Sequence, residues 1–549
     1  MMSPTIGSLL LDRLYHLGLH HIFGIPGDYV LTLYKLLEDS PIQHIGTTRE
    51  DCAGFAADAY ARIKGIGGVC VTYCVGGLNI VNAVACAYAE RSPVVVISGS
   101  PGLGERVKNP LLHHMVRDFS TQREVFEKVT VASIILDDPV TAEREIHRAL
   151  SALMRYKRPV YLEIPRDLVL APLQTSLSTA RRELQVKSDP DALEEALAEV
   201  RGILSKSDRP VVLAGSEIHR FSLQDHLTQL VEHMNVPVAS TLLGKSVIRE
   251  DHPLYIGVYG GLVGRDEILE FVDQADCLLM LGTILSDIED VQAHLTVLGV
   301  GRTIHATADT ITIKHHRFDS VRFEDFVRAL AASPLPSFPA RPLPVHDRVP
   351  FVAPNPNTPV TLGSLFGHLD TLLNEKTVVI ADVGECLLAA VDLHVRKSAE
   401  FLSPAYYTSM GFSVPAALGA VFADPSLRPI VLVGDGAFQM TGTELATCLR
   451  HGQAPIVVIL NNRGYSTERE ILDGPFNDLH EWQYEKICDM IGGGVGHRVR
   501  TYGELVEALN ASIRDSSNLH VLNVLLDPGD RSTAMIRLAH RLAKQVSSS

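Results

Sequence analysis

One forty-residue stretch limits the folds open to this chain more than any other: VLVGDGAFQMTGTELATCLRHGQAPIVVILNNRGYSTERE, Val431 to Glu470. It begins with an apolar run ending in Gly434-Asp435-Gly436, the pattern of a buried strand that breaks into a glycine turn. A helical segment follows, then a second apolar run, Ile456 to Leu460, ending in Asn461-Asn462. Two buried strands one helix apart belong in a parallel sheet. Both turns then fall at its carboxyl edge, where α/β proteins bind ligands. That edge carries the Asp435 carboxylate, the Asn462 amide oxygen, and glycines that let backbone groups approach an anion closely. Oxygen donors of this kind suit Mg2+, which shares itself between carboxylates and substrate phosphates. A GDG tripeptide alone is an ordinary turn. The strand–helix–strand register, with Asn462 27 residues after Asp435, marks this one as a ligand site.

Strand–helix alternation continues through the 549 residues, enough for about three domains. Residues 1–173 carry strand patterns at His21–Ile25, GGVCVTYCV, SPVVVISGS and RPVYLEIPRD; Ser3-Pro4 reads as the cap of a first helix running to Leu17. A polar linker, 174–190, leads to a central domain, 191–333, with strands near Val211–Ala214, Val236–Ser240, Cys277–Leu281 and Thr303–Ala306. Nine prolines make 334–359 an extended linker. The last domain, 360–549, has strands at Val378–Ala381, Ile430–Val433, Ile456–Leu460 and Val521–Leu526, and its polar end, KQVSSS, reads as frayed. Gly76-Gly77, AVACAYAE and RSPVVVISG repeat the order of Gly434-Asp435-Gly436, TELATCLR and QAPIVVILN. The expected fold is therefore α/β: three doubly wound parallel-sheet domains, two of them related and flanking the third.

The formal net charge of −15 argues against a nucleic-acid or anionic-membrane partner. The eight cysteines form no CxxC pair and read as reduced, buried side chains of a cytoplasmic protein. Neither a signal peptide nor an apolar run of about 18 residues is apparent, so no membrane span is expected.

Three further features could carry chemistry. Glu50, in TTREDCAGFAADAYAR, opens an Ala-rich helical pattern, where an acid ordinarily serves the helix dipole. Asp28, in GIPGDY, reads by itself as a turn aspartate. His113-His114, in NPLLHHMV, have no metal-ligand spacing of their own. The other such pair, His315-His316, lies between Lys314 and Arg317 and reads as a solvated face.

Taken together, GIPGDY, TTRE…GFAADAYAR, LLHH, VYLEIPRD, SMGFSVPAALGA, GDGAFQMTGTE and NNRGYSTERE span nearly the whole chain. The set resembles the 2-oxo acid decarboxylase branch of the thiamine-diphosphate (ThDP) enzymes, in texture nearest the phenylpyruvate and indolepyruvate type. The resemblance implies ThDP and Mg2+ as cofactors, with Asp435, Asn462 and the Gly464 carbonyl on the metal. Gly434, Gly436 and Ala437 line the diphosphate, and Met410 is the apolar residue beneath the cofactor. It implies that Glu50 bonds the aminopyrimidine and assists proton removal from the thiazolium; buried with few partners, Glu50 would hold its proton more tightly than usual. Asp28, His113, His114 and Glu468 would handle the substrate carboxylate and the later protonation. Leu387, Leu388, Thr467 and Ile471 match the family's substrate pocket, and small side chains at the first three suggest a bulky 2-oxo acid. A homodimer sharing its sites, usually within a homotetramer, is implied as well. A pyruvate-preferring decarboxylase is an alternative. So is a carboligase of the acetolactate-synthase type, against which the His pair, GIPGDY and the lack of a flavin pattern stand. A scaffold that had lost its chemistry would lack Glu50 or the metal ligands, and all are present.

Overall fold

The apolar runs become the strands of three sheets in the computed structural model, which describes residues 4–173, 187–286, 303–344, 351–395 and 401–548. The N-terminal sheet contains β1 (His21–Gly24), β2 (Gln43–Gly46), β3 (Gly67–Val71), β4 (Val94–Ser100), β5 (Ala132–Ile135) and β6 (Val160–Pro165). Their order is β2-β1-β3-β4-β6-β5, and every pairing is parallel. β3, β4 and β6 are buried throughout, which is why they read as unbroken apolar runs rather than alternating ones.

The middle sheet is built from β7 (Pro210–Ala214), β8 (Val238–Ser240), β9 (Tyr255–Val258), β10 (Cys277–Leu281), β11 (Thr303–Ala306), β12 (Ile311–Ile313) and β13 (His316–Phe318). Its order is β13-β12-β11-β10-β7-β8-β9, parallel from β11 to β9. β12 and β13 add an antiparallel edge that the sequence reading did not anticipate, because three-residue strands are too short to show a period.

The C-terminal sheet holds β14 (Thr377–Ala381), β15 (Phe401–Leu402), β16 (Arg428–Gly434), β17 (Ile456–Asn461), β18 (Val495–Val499) and β19 (His520–Leu525). Its order, β15-β14-β16-β17-β19-β18, is the N-terminal order repeated strand for strand. The short sequence repeat is thus the trace of two domains of one topology. No helix among the described residues is long and apolar enough to cross a membrane, and all eight cysteines are free and buried.

Some expectations are corrected at the ends of elements. The first helix, Ile6–His16, is capped by Thr5, whose hydroxyl accepts from Ser8 N in a capping box, and not by Ser3-Pro4. The C-terminal helix Thr533–Ser548 carries helical backbone through the tail read as frayed. Linker residues 174–186 and 345–350 lie outside the described residues; Asp189 caps the helix Pro190–Leu204 at once.

The chain divides into two compact units. The first joins the N-terminal sheet to two pieces from later in the sequence, Val414–Ser426 and Thr443–His451. The helix Ser413–Ala423 approaches the helix Glu50–Lys64 so closely that a Cβ on Gly419 would stand 2.0 Å from the Ala56 carbonyl. Inside the Glu50–Lys64 helix, Arg62 forks onto Asp58 (2.9 and 2.8 Å) one turn back, with Glu90 Oε2 also 2.8 Å away, and all three side chains are buried. The second unit holds the other two sheets, tied by Lys245. Its ammonium is buried and donates to Glu250 (2.7 Å) and to the Leu393 and Val391 carbonyls (2.7 and 3.2 Å).

Removing one member of a buried ion pair strands the other charge, at about 3–5 kcal/mol. Arg62→Met should therefore lower the thermal unfolding midpoint at neutral pH by several degrees or more, whereas exposed Arg148→Met should leave it within about a degree.

Candidate active site

In the first unit, three loops leave the carboxyl ends of neighbouring strands and converge. β1 ends at Gly24 and leads to Asp28. β2 leads to Glu50, the first residue of its helix. β3 leads to Gly76, where an added Cβ would lie 3.7 Å from Glu50 Oε1. The strand order runs outward in opposite directions from β1 and β3, so this is the sheet's switch point. Glu50 is half-buried and accepts from Asn79 Nδ2 at 2.7 Å, more solvated and better partnered than expected.

Across the same edge, His113 Nε2 lies 2.8 Å from Asp28 Oδ2. An ionised carboxylate only accepts, so in the neutral ring Nε2 carries the proton and Nδ1 is left to accept from the Tyr29 hydroxyl, 3.3 Å away. The Tyr29 ring stacks on His113 at 4.7 Å and 19°. Burial, then the Asp28 charge, raise the Tyr29 phenol above its ordinary range, so it stays protonated. His114 packs edge-on against His113 (4.8 Å, 81°) from a left-handed backbone conformation, φ 66°, and its Nδ1 is buried without a hydrogen-bond partner. Strain of this kind costs about 1–3 kcal/mol and persists where the surroundings demand it. The donor atoms of Asp28, His113 and His114 lie within 4.8 Å of one another, close enough to pass protons among them or to take one metal ion.

In the second unit the corresponding switch point lies between β14 and β16. β16 ends at Gly434, where a Cβ would meet nothing within 4 Å, so the space above it is open. Asp435 begins the helix Asp435–Thr441; its Oδ1 accepts from Gly436 N at 2.8 Å, while Oδ2 is buried with no partner. Burial raises this carboxyl to about 6, despite the backbone N–H groups of Gly436, Arg463 and Gly464 facing it. Ala437, next along the helix, is buried. Asn462, just past β17, is buried beside it, and its Oδ1 accepts from Gly464 N at 3.3 Å. Gly464 is obligatory: a Cβ there would lie 2.2 Å from the Asn477 carbonyl.

After β14, Gly384 turns with φ 76° into the short helix Glu385–Ala390, and Thr467 Oγ1 would lie 3.3 Å from a Cβ on Gly384. Leu387 joins the core of the C-terminal sheet, and Leu388 packs with Val263, Ala534 and Met535. Met410 is half-buried and precedes Gly411 (φ 85°). Glu468 and Ile471, on the helix Ser466–Ile471, are exposed.

The three domains match three family models: the N-terminal TPP-binding domain of thiamine pyrophosphate enzymes over residues 4–122, their central domain over 197–331, and their C-terminal TPP-binding domain over 382–524. The chain is 35% identical to an indole-3-pyruvate decarboxylase of Azospirillum brasilense over 97% of each chain. It is 32% identical to a pyruvate decarboxylase of Arabidopsis thaliana over 98% of this chain and 94% of that one. With a probable pyruvate decarboxylase of Schizosaccharomyces pombe the figure is 30%, over 98% and 96%. The chain belongs to the ThDP-dependent 2-oxo acid decarboxylases. In this family's terms the residues present fit the cofactor: Asp435 Oδ2 is buried without a hydrogen-bond partner, and the open Gly434 turn leaves room for a diphosphate.

Several residues that organise this family's two clusters here escaped the sequence reading. Asn79 holds Glu50, Tyr29 orders His113, and buried Asp382 accepts from Gly411 N (3.2 Å), Ser413 N (3.0 Å) and Ser413 Oγ (2.8 Å), fixing the turn that presents Met410. Asp382 alone had a local signal, standing two residues before the Gly384 turn.

Asp435 holds its proton more tightly folded than unfolded, so it stabilises the fold below about pH 4, and that stabilisation is lost as pH rises through about 6. In the cofactor-free protein, Asp435→Asn should add about 1–3 kcal/mol at pH 7. The gain should vanish toward pH 4, as followed by thermal unfolding across that range.

Proposed function

We propose that the chain decarboxylates a bulky 2-oxo acid, such as phenylpyruvate, indole-3-pyruvate or a long or branched aliphatic one, releasing the aldehyde and CO2 without oxidation. The Asp28–His113 hydrogen bond beside His114, with the buried Asp435 Oδ2 left without a hydrogen-bond partner in the other cluster, is the observation that carries this reading. Asp435, Asn462 and the Gly464 carbonyl would hold Mg2+, a hard cation that takes oxygen ligands and shares itself with a diphosphate. ThDP supplies, when bound, a carbon nucleophile for the keto group and accepts the electron pair that CO2 leaves behind. Glu50, held by Asn79, would hydrogen-bond the cofactor's aminopyrimidine and hold the proton needed there. Met410, on the turn pinned by Asp382, would give the cofactor an apolar support. His114, Asp28 and Glu468 place the substrate carboxylate and deliver the proton that completes the aldehyde, while His113 keeps Asp28 oriented through its Nε2–H.

The substrate assignment rests on the resemblance at Leu387, Leu388 and Thr467, positions where narrower pockets of the family carry wider side chains, on the exposed Ile471, and on the similarity to the Azospirillum indole-3-pyruvate enzyme. The Arabidopsis and fission-yeast relatives, named for pyruvate, support a pyruvate-preferring enzyme as the second reading. A homodimer, doubled to a tetramer in the cytoplasm, belongs to the same proposal, as do domain bounds of 1–173, 191–333 and 360–549. Exposed Val107 and Leu111 beside the histidine pair, and Ile471, Leu472 and Phe476 beyond Glu468, are apolar surface suited to a second copy.

Purified protein with ThDP and Mg2+ should release aldehyde and CO2 from phenylpyruvate, indole-3-pyruvate or 2-oxooctanoate at least tenfold more efficiently (kcat/KM) than from pyruvate. Chelation of divalent cations should abolish turnover and Mg2+ restore it. Preference for pyruvate would overturn the substrate assignment alone, whereas acyloin or acetolactate without free aldehyde would overturn the reaction.

A further inference from the structure

Arg166 lies just past β6, with its backbone N–H on the Ser100 carbonyl (3.0 Å) at the end of the adjacent β4. Its guanidinium forks onto Glu105, with Nε 2.9 Å from Oε2 and Nη2 on Oε1. Glu105 is itself fixed, since Oε2 also accepts from Gly102 N at 2.7 Å. From this anchor Arg166 does two further things. Its Cζ stands 5.0 Å from the centroid of the Tyr29 ring, the same ring that stacks on His113. Its Nη1 lies 3.7 Å from Asp28 Oδ2, the oxygen that receives the His113 Nε2–H. Glu105, Arg166, Tyr29, Asp28 and His113 thus form one connected set. Of the charges nearby, Arg106 is turned away onto Ser100 and Glu163, and Asp167 accepts from Leu103 N and Gly104 N.

The need for such a device is physical. Asp28 and His113 are both exposed, with side chains 39% and 57% accessible, and an exposed acid–imidazole contact holds no fixed geometry by itself. The planar guanidinium has donors for both carboxylates and a face for the aromatic ring, which a lysine ammonium does not. We propose that Arg166, anchored by Glu105, is a positioning residue that fixes the Asp28 carboxylate and the Tyr29–His113 stack in the geometry used for proton delivery. Glu105 acts only through Arg166. The inference rests on the decarboxylase reading above for its kinetic consequences but not for its geometry.

The test uses Arg166→Met, Arg166→Lys, Glu105→Gln and the Glu105→Gln/Arg166→Met double variant as full-length, cofactor-loaded enzymes. With whichever 2-oxo acid the parent turns over, Arg166→Met should lose about 10- to 100-fold in kcat with KM nearly unchanged, the scale of a misplaced catalytic group. Arg166→Lys should recover little, and the double variant should be no worse than Arg166→Met, since the two residues act as one unit. A rise in KM with kcat retained would overturn the proposal by making Arg166 a direct ligand of the substrate carboxylate. A loss of turnover that follows a lowered Tm, with Arg166→Lys restoring both, would overturn it in favour of a merely structural role. An inactive parent would sink the decarboxylase reading instead. The inference would then stand or fall on a crystal structure of Arg166→Met: loss of the Asp28–His113 contact supports it, and retention at 2.8 Å overturns it.

Discussion

The buried Asp435 carboxylate, with Oδ1 on Gly436 N and Oδ2 unpartnered, is the constraint on which the rest of the second cluster depends. A fully buried oxygen without a donor is costly, and here it persists because the strand before it is buried and the helix after it starts at that residue. The residues around it fit the cation and diphosphate proposed for this site. Gly434 leaves open space, Gly464 lets the next loop come within van der Waals distance of the Asn477 carbonyl, and Asn462 turns its amide oxygen inward. The fold tolerates a destabilised carboxylate at the place where a bound cation would relieve it, the usual exchange of stability for function at a binding site.

The two outer sheets apply one topology to two tasks. In each, the switch point gathers short loops from strand ends: the N-terminal edge brings Asp28, His113 and His114 within 4.8 Å of one another, and the C-terminal edge carries Asp435 with its unpartnered Oδ2. The antiparallel extension of the middle sheet sets that domain apart, and the buried Lys245 ties it to the turn after the Glu385–Ala390 helix.

What the sequence made legible was local or periodic. Val431–Val433 and Ile456–Leu460 are buried on both faces, so their apolar runs survive in the sequence, and the glycine turn between strand and helix punctuates them. The first turn of the Glu50 helix was legible for the same reason. Edge strands such as β18, whose VGHRV is half solvated, left no such pattern. Contacts between distant residues left none either. Glu105 and Arg166 are 61 residues apart, Tyr29 and His113 are 84, and neither pairing has a spacing rule to betray it. Nor does any residue type announce the left-handed backbone of His114; it follows from packing against His113 and Tyr29.

The central claim of the proposal is that the Glu50 cluster of one copy and the Asp435 cluster of another would serve one cofactor. Subunit exchange between Glu50→Gln and Asp435→Ala proteins, each inactive alone, tests it most directly by aldehyde release. Random exchange should restore about one-quarter of parental activity, because half the dimers are hybrids with one of two sites intact. No regained activity after demonstrated exchange would contradict the shared site.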